Sequence, residues 1–237
     1  MEGGNGGLMQ DQYRPPITQC TAFRLEKSCI AQLPAPARAA LDHLAQQSAH
    51  SQSLRGPISC TTRLLASDNH VVYLLTLPSP SSPSSLSTSS GVPRLLISLS
   101  SSSLTSCSSS ACSPIGFLKL GRKHLFVSSP SGQVIEISPL CLLDFYISTP
   151  FQRHGLGASF LRAVLRHEGI ANAPHLLAYD RPSERLLPFL AKHFGLHKYV
   201  PQHNHFVIFD EYFSSSSSSS SSPSTTATTT ATTTLAV

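Results

Sequence analysis

The segment that most narrows what this chain can fold into runs from residue 140 to residue 168. Leu140-Cys141-Leu142-Leu143-Asp144-Phe145-Tyr146-Ile147 is an apolar run of strand length and reads as a buried strand. Gln152-Arg153-His154-Gly155-Leu156-Gly157 follows it. Then comes Ala158 to Glu168, where Phe160, Leu161, Val164 and Leu165 recur at helical spacing. Strand, basic glycine turn and amphipathic helix in that order make a phosphate site. Glycine lets the backbone curl toward a ligand, and the first N–H groups of a helix lack intrahelical acceptors. Arg153 and His154 add positive charge at the same point. The pattern is Q-x-x-G-x-G. A dinucleotide turn needs G-x-G-x-x-G and a P-loop needs G-K-[ST], and neither occurs. Glycines can also serve a turn for steric reasons alone. Here strand, arginine and helix are in register, which favours phosphate.

Composition limits how much of the chain can join this unit. Residues 214–237 are almost entirely Ser, Thr and Ala, and such a tail cannot offset its conformational entropy by burial. A Ser/Pro-rich run over 78–113 interrupts patterned sequence and is expected to be an insertion in a surface loop. Residues 1–16 are polar and Gly-rich. What remains is one domain. The net charge of +5 suits an anionic cofactor, yet the charges form no basic stripe with interleaved aromatics, so no nucleic-acid partner is expected. Six cysteines without a C-x-x-C pair predict reduced thiols and no metal site. No apolar segment approaches the ~18 residues of a membrane span, and no secretory leader is recognisable. A soluble intracellular protein is expected, with no membrane partner.

The coarse element pattern is α/β. Helices are expected over 35–53 and from Ser183 to His193, the latter with Ser183 as N-cap and with Pro188 delaying or bending its start. Strands are expected at His70–Leu77, Ile115 to Leu120, His124 to Ser128, Val134–Ile137, Pro174 to Asp180 and Asn204 to Phe209. The Ile115 and His124 strands read as a hairpin about Gly121-Arg122-Lys123. A short strand within Pro93 to Leu99 is the alternative to an unbroken insertion. Together these predict a mixed central sheet flanked by helices in a single domain.

Several of these segments carry a resemblance to a known family. Leu140 to Ile147, the glycine turn and Asp180-Arg181-Pro182-Ser183 resemble the α-tubulin N-acetyltransferases, which are GNAT-like enzymes. Gly116-Phe117-Leu118-Lys119-Leu120-Gly121, Leu125-Phe126-Val127 and Val200-Pro201-Gln202-x-Asn204-x-Phe206-Val207-Ile208-Phe209 match as well. The resemblance spans residues 41–213 apart from the serine run. It assigns 35–213 to the acetyltransferase domain and leaves 1–34 as a poorly ordered or weakly matching N-terminus.

The resemblance implies acetyl transfer from acetyl-CoA to a lysine ε-amine of α-tubulin in microtubules, in the cytoplasm and on its cytoskeleton, cilia or flagella included. It implies that acetyl-CoA lies along Phe145, Tyr146, Ile147, Gln152, Arg153, His154, Gly155, Leu156, Gly157 and Ala158. The later helix would touch it through Ser183, Glu184, Arg185, Leu186, Leu187, Phe189 and Lys192. Gln52, Cys141 and Asp180 match the catalytic or substrate-site positions, and no metal is implied. The chemistry itself asks for such groups, because a lysine ammonium must lose a proton before it attacks a thioester. Asp180 between strand and helix could accept it, or could merely cap the helix. Cys141 in an apolar strand is by default a small buried hydrophobe. Ala158 stands where relatives often carry Arg. Two rival readings remain: a GNAT enzyme for another amine, and a catalytically dead microtubule-binding domain.

Overall fold

A computed structural model describes residues 19–77, 96–100 and 113–216. Of the tail expected to be disordered over 214–237, residues 214–216 close a helix and the rest lies outside the described residues, as do residues 1–18 of the weakly matching N-terminus and most of the serine run.

Two successive antiparallel pairings build the middle of the sheet. β4 (Ser113–Arg122) is buried from Ile115 to Gly121 without alternation, the mark of a strand covered on both faces. It pairs with β2 (His70–Leu77) on one side and β7 (Leu140–Ile147) on the other. β1 (Gln19–Leu25) adds outside β2, and β3 (Leu96–Ser100) lies parallel to β1 at the edge. On the far side, β8 (Leu177–Asp180) runs parallel to β7, and the two-residue β9 (Phe206–Val207) closes the order β3-β1-β2-β4-β7-β8-β9.

Several expectations change here. The Ile115/His124 hairpin does not form. With both edges of β4 already taken, β5 (Leu125–Ser128) pairs instead with β6 (Val134–Ile137) in a separate two-stranded ribbon. The segment before Ala35 contains strand β1 and the short helix α1 (Lys27–Ala31). Leu96–Ser100 of the serine run is a strand, at the site of the short-strand alternative. Pro174–Leu176 is a single 3₁₀ turn and only Leu177–Asp180 is strand, because Pro174 has no N–H for a ladder. The last strand shrinks to β9 plus a bridge between Tyr199 and Phe209.

Helix α4 (Leu156–His167) buries Phe160, Leu161, Val164 and Leu165 against one face of the sheet. Each such side chain contributes about 1.5–3 kcal/mol. α5 (Leu186–Phe194) covers the same face. Its start is not at Ser183. Beginning at Leu186 puts Pro188 in the first turn, where a missing N–H costs no helical hydrogen bond. The other face packs on α1, α2 (Ala35–Ser51) and α3 (Thr61–Leu65). α2 ends with Ser53 N–H on His50 O at 3.1 Å and Leu54 N–H on Ala49 O at 2.9 Å. That closure needs a left-handed residue, and Ser53 supplies it at φ 55 in place of the usual glycine. Helix α6 (Asp210–Ser216) follows the last strand. Among the described residues no helix is long and apolar enough to cross a membrane.

Candidate active site

β7 pairs with β8 only at Leu140, Cys141 and Leu142. From Leu143 to Ile147 the two strands part, and the edge of β7 facing β8 has no strand beside it. The gap leads to the glycine turn. A 3₁₀ turn over Thr149–Phe151 follows β7, and Gln152 Nε2 donates to Ile147 O at 2.7 Å, tying the turn to the strand end. Arg153 then takes φ 65 and Gly155 φ 75. A non-glycine residue in this region is strained by about 1 kcal/mol. Gly155 is the N-cap of α4 and brings no side chain to cap it. A methyl group added at Gly155 would meet nothing within 4 Å. Glycine is therefore favoured there by its dihedral angle and not by crowding.

A cleft of about 630 Å³ fills this gap. Of the residues expected to hold a cofactor, Phe145, Tyr146, Ile147, Gln152, Arg153, Gly155, Gly157, Ala158, Ser183, Arg185, Leu186, Phe189 and Lys192 line it. His154 and Glu184 are exposed outside the lining, Leu156 is buried in the core, and Leu187 packs against that core. Gln52 lines the cleft too, with Ser51 and His193, which sequence reading did not single out. Phe145 packs on Phe160 and Phe189, so the apolar wall is built jointly by β7, α4 and α5. Arg153, Arg185 and Lys192 bring positive charge, and the lining holds no acidic side chain. An extended anion with an apolar stem suits such a space.

Asp180 ends β8 where the strands begin to part. Its Oδ1 is buried without a hydrogen-bond partner, and Arg181 Nε stands 3.8 Å away. Burial raises its pKa above the ordinary carboxyl value, against the opposing pull of Arg181, Lys123 and Lys119. Arg181 sits at φ 41, with its N–H on His205 O at 3.2 Å. Cys141 is fully buried and donates its thiol to Pro139 O at 3.5 Å. Burial, with Asp180 adding, pushes the thiol up to about 12, so it is a neutral thiol at physiological pH. Neither Cys141 nor Asp180 lines the cleft itself.

Gln52 reaches the site through a network that sequence reading missed. The β4–β7 register slips between Lys119 and Leu120, leaving Leu143 as the extra residue of a bulge. The bulge turns Asp144 toward α2, where it is only 6% exposed. Ser48 Oγ donates to Asp144 Oδ1 at 3.0 Å, Ser59 Oγ to Oδ2 at 2.6 Å, and Gln52 Nε2 to Oδ1 at 3.2 Å. Gln52 Nε2 also donates to Ser48 Oγ at 2.9 Å. Opposite Asp144, buried Lys119 donates to Ile58 O at 3.1 Å. The available signal was a single charge inside each of two apolar runs, Leu140 to Ile147 and Ile115 to Leu120. Among the described residues no group of three His, Cys, Asp or Glu side chains could hold a metal ion.

Comparison with known proteins adds a family. Residues 102–236 match the family model described as GNAT acetyltransferase, Mec-17. An alpha-tubulin N-acetyltransferase of Phytophthora infestans is 50% identical over 101 residues, 43% of this chain and 55% of that protein. Proteins of the same name from Anopheles gambiae and Tetrahymena thermophila are both 48% identical, over 43% and 42% of this chain and 20% and 25% of their own length. The chain thus spans about half or less of the length of these relatives. Among solved structures, the aminoglycoside N-acetyltransferase AAC(6')-Iy in complex with CoA aligns with a TM-score of 0.40 at 12% identity, covering 76% of this chain and 88% of that one.

Proposed function

Because the chain belongs to the Mec-17 family of GNAT acetyltransferases, we propose that it transfers the acetyl group of acetyl-CoA to a lysine ε-amine of α-tubulin in microtubules. The observation that carries the reading is the gap between β7 and β8, which opens just beyond the last paired residues, next to Asp180, and leads to the glycine turn. The free edge of β7 from Leu143 onward offers backbone groups to the amides of an extended pantetheine arm. The uncapped start of α4, with Arg153, Arg185 and Lys192, suits the pyrophosphate. Phe145, Leu186 and Phe189 keep water from the thioester.

Asp180 receives the lysine. Its carboxyl, raised in pKa and lacking a donor, is suited to accept one proton from the ammonium. The neutral nitrogen then attacks the thioester carbon, the C–S bond breaks, and an amide and the CoA thiol result. Cys141, a neutral buried thiol, takes no covalent part and leaves this direct attack as the route. Such an enzyme acts in the cytoplasm, on the microtubule cytoskeleton.

The test is acetylation of purified microtubules by the full chain with acetyl-CoA, read with an antibody to acetylated α-tubulin. Free tubulin dimers and an unrelated lysine-rich protein run beside them. Signal on tubulin alone supports the reading. Signal on the control protein at an equal rate points to a different amine. Binding of acetyl-CoA and of microtubules with no transfer to any substrate points to a binding domain.

A further inference from the structure

The proposed reaction makes no use of Asp144, although a charge this deeply buried inside an apolar strand is costly unless its surroundings answer it. Its neighbours do so in a way that fixes the direction of every hydrogen bond. A carboxylate only accepts. Ser59 must therefore give its proton to Oδ2, and Ser48 must give its proton to Oδ1. Having donated to Asp144, Ser48 Oγ can only accept from the Gln52 amide, at 2.9 Å. Gln52 Nε2 lies 3.2 Å from Asp144 Oδ1 as well. The nitrogen end of the Gln52 amide is thus held on the inner side, and Oε1 is the end left toward the cleft that Gln52 lines. The two ends of an amide have the same shape, so partners alone decide which end faces out. Here the deciding partner is Asp144, and the β7 bulge is what turns it to this face.

We propose that Asp144 is a positioning residue: by setting the direction of the Ser48–Gln52 hydrogen-bond chain, it makes Gln52 present an acceptor to the amine of the incoming lysine. This rests on the reaction proposed above. A lysine ammonium carries three donors and no acceptor, so a carbonyl oxygen holds it while an amide N–H would repel it.

The test uses the full chain and five variants. Ser48→Ala removes the link that Gln52 leans on. Ser59→Ala removes a hydroxyl of the same kind from the same carboxylate without touching Gln52. Ser48→Ala is expected to lower kcat/KM for tubulin by about 10- to 100-fold, the range of a misplaced catalytic contact, with the Kd of acetyl-CoA unchanged. Ser59→Ala is expected to keep kcat/KM close to wild type. Asp144→Asn, which lets the amide reverse, is expected to behave like Ser48→Ala. In a Gln52→Ala background, Ser48→Ala is expected to cost nothing more. Equal losses in the two serine variants, or losses of Ser48 and Gln52 that multiply, would overturn the proposal. A second readout does not depend on turnover: the side-chain amide protons of Gln52 in a ¹⁵N spectrum. They are expected to exchange slowly in the wild type and quickly in Ser48→Ala, and fast exchange in the wild type would equally overturn the proposal. If the wild type acetylates no tubulin, the reaction proposed above fails, and amide exchange still decides whether Asp144 pins Gln52.

Discussion

Asp180→Asn is expected to move activity and stability in opposite directions. The wild-type carboxylate buries Oδ1 without a donor, and burial raises its pKa. An acid with a raised folded-state pKa binds its proton more tightly in the fold than in the unfolded chain. The stability tied to that proton is present below the unfolded-state pKa and is lost as pH rises through the folded one. Above that folded-state pKa the wild type bears the cost. Asparagine keeps the shape and removes the charge. Asparagine still leaves a buried oxygen without a donor, so the difference is the burial of the charge, about 1 kcal/mol with the Asp180 side chain 30% exposed. A gain of about 1 kcal/mol raises Tm by about 2–4 °C in a domain of this size. Loss of a general base lowers turnover by about 10²- to 10⁴-fold. Thermal melts at pH 7.5 and at pH 4, beside steady-state acetylation, measure both effects, and the gain in Tm should shrink at the lower pH. Wild-type kcat/KM should fall on its acid side as Asp180 takes up its proton. An asparagine variant that melts lower than wild type makes Asp180 a structural cap, whatever its rate. One that turns over normally removes it from the reaction.

Other substitutions test separate parts of the structure. A side chain at Gly116 would put Cβ 2.6 Å from Ile147 Cδ1 and 2.7 Å from Tyr146 O. Gly116→Ala should cost about 1–2 kcal/mol in denaturant unfolding, overpacking set against reduced unfolded-state entropy, and a stabilised variant would refute the close approach. Cys141→Ala should keep most activity with an unchanged pH profile and lose about 1 kcal/mol of stability from a small cavity. A drop in rate of about 100-fold or more would mean that the thiol takes part in proton transfer. Gln202 stands in for a strand beside β5: it accepts from Ser128 N at 2.7 Å and donates to Ser128 O at 2.9 Å and to Val200 O at 3.1 Å. Gln202→Ala should destabilise by about 1–3 kcal/mol and speed hydrogen exchange across Leu125–Ser128, and unchanged protection there would count against the clasp.

What could be read from the sequence was what short-range patterns encode. β7, the glycine turn and α4 stand together in one stretch, and period and glycine placement suffice to find them. At the start of α5 a capping serine and an internal proline give conflicting signals, and the later start expected from Pro188 is the one that forms, because its missing N–H suits the first turn. The partner of β5 was illegible, since it depends on β2 and β7 having already claimed both edges of β4. β1 was doubtful because it carries a polar residue between most of its buried ones and gains its place by pairing with β2 and β3, both distant in sequence. The far wall of the site was hidden for a similar reason. Gln52 and Asp144 are distant in sequence, and the bulge that brings them together depends on the register between two strands.

The serine run has its roots in a telling place. Leu77 and Ser113 are directly paired, so the chain leaves β2 and enters β4 at adjoining points, with edge strand β3 between them. Lengthening a surface connection between two fixed strand ends costs only about 0.6 kcal/mol per doubling, so stability constrains the length of such a connection weakly. Yet Ser113 lies only three residues, about 10 Å along β4, beyond Gly116, which pairs with the cleft-lining Ile147. A lineage can therefore graft a new recognition segment beside Ser113, or a protein engineer a sensor, and deliver it to the mouth of the cleft.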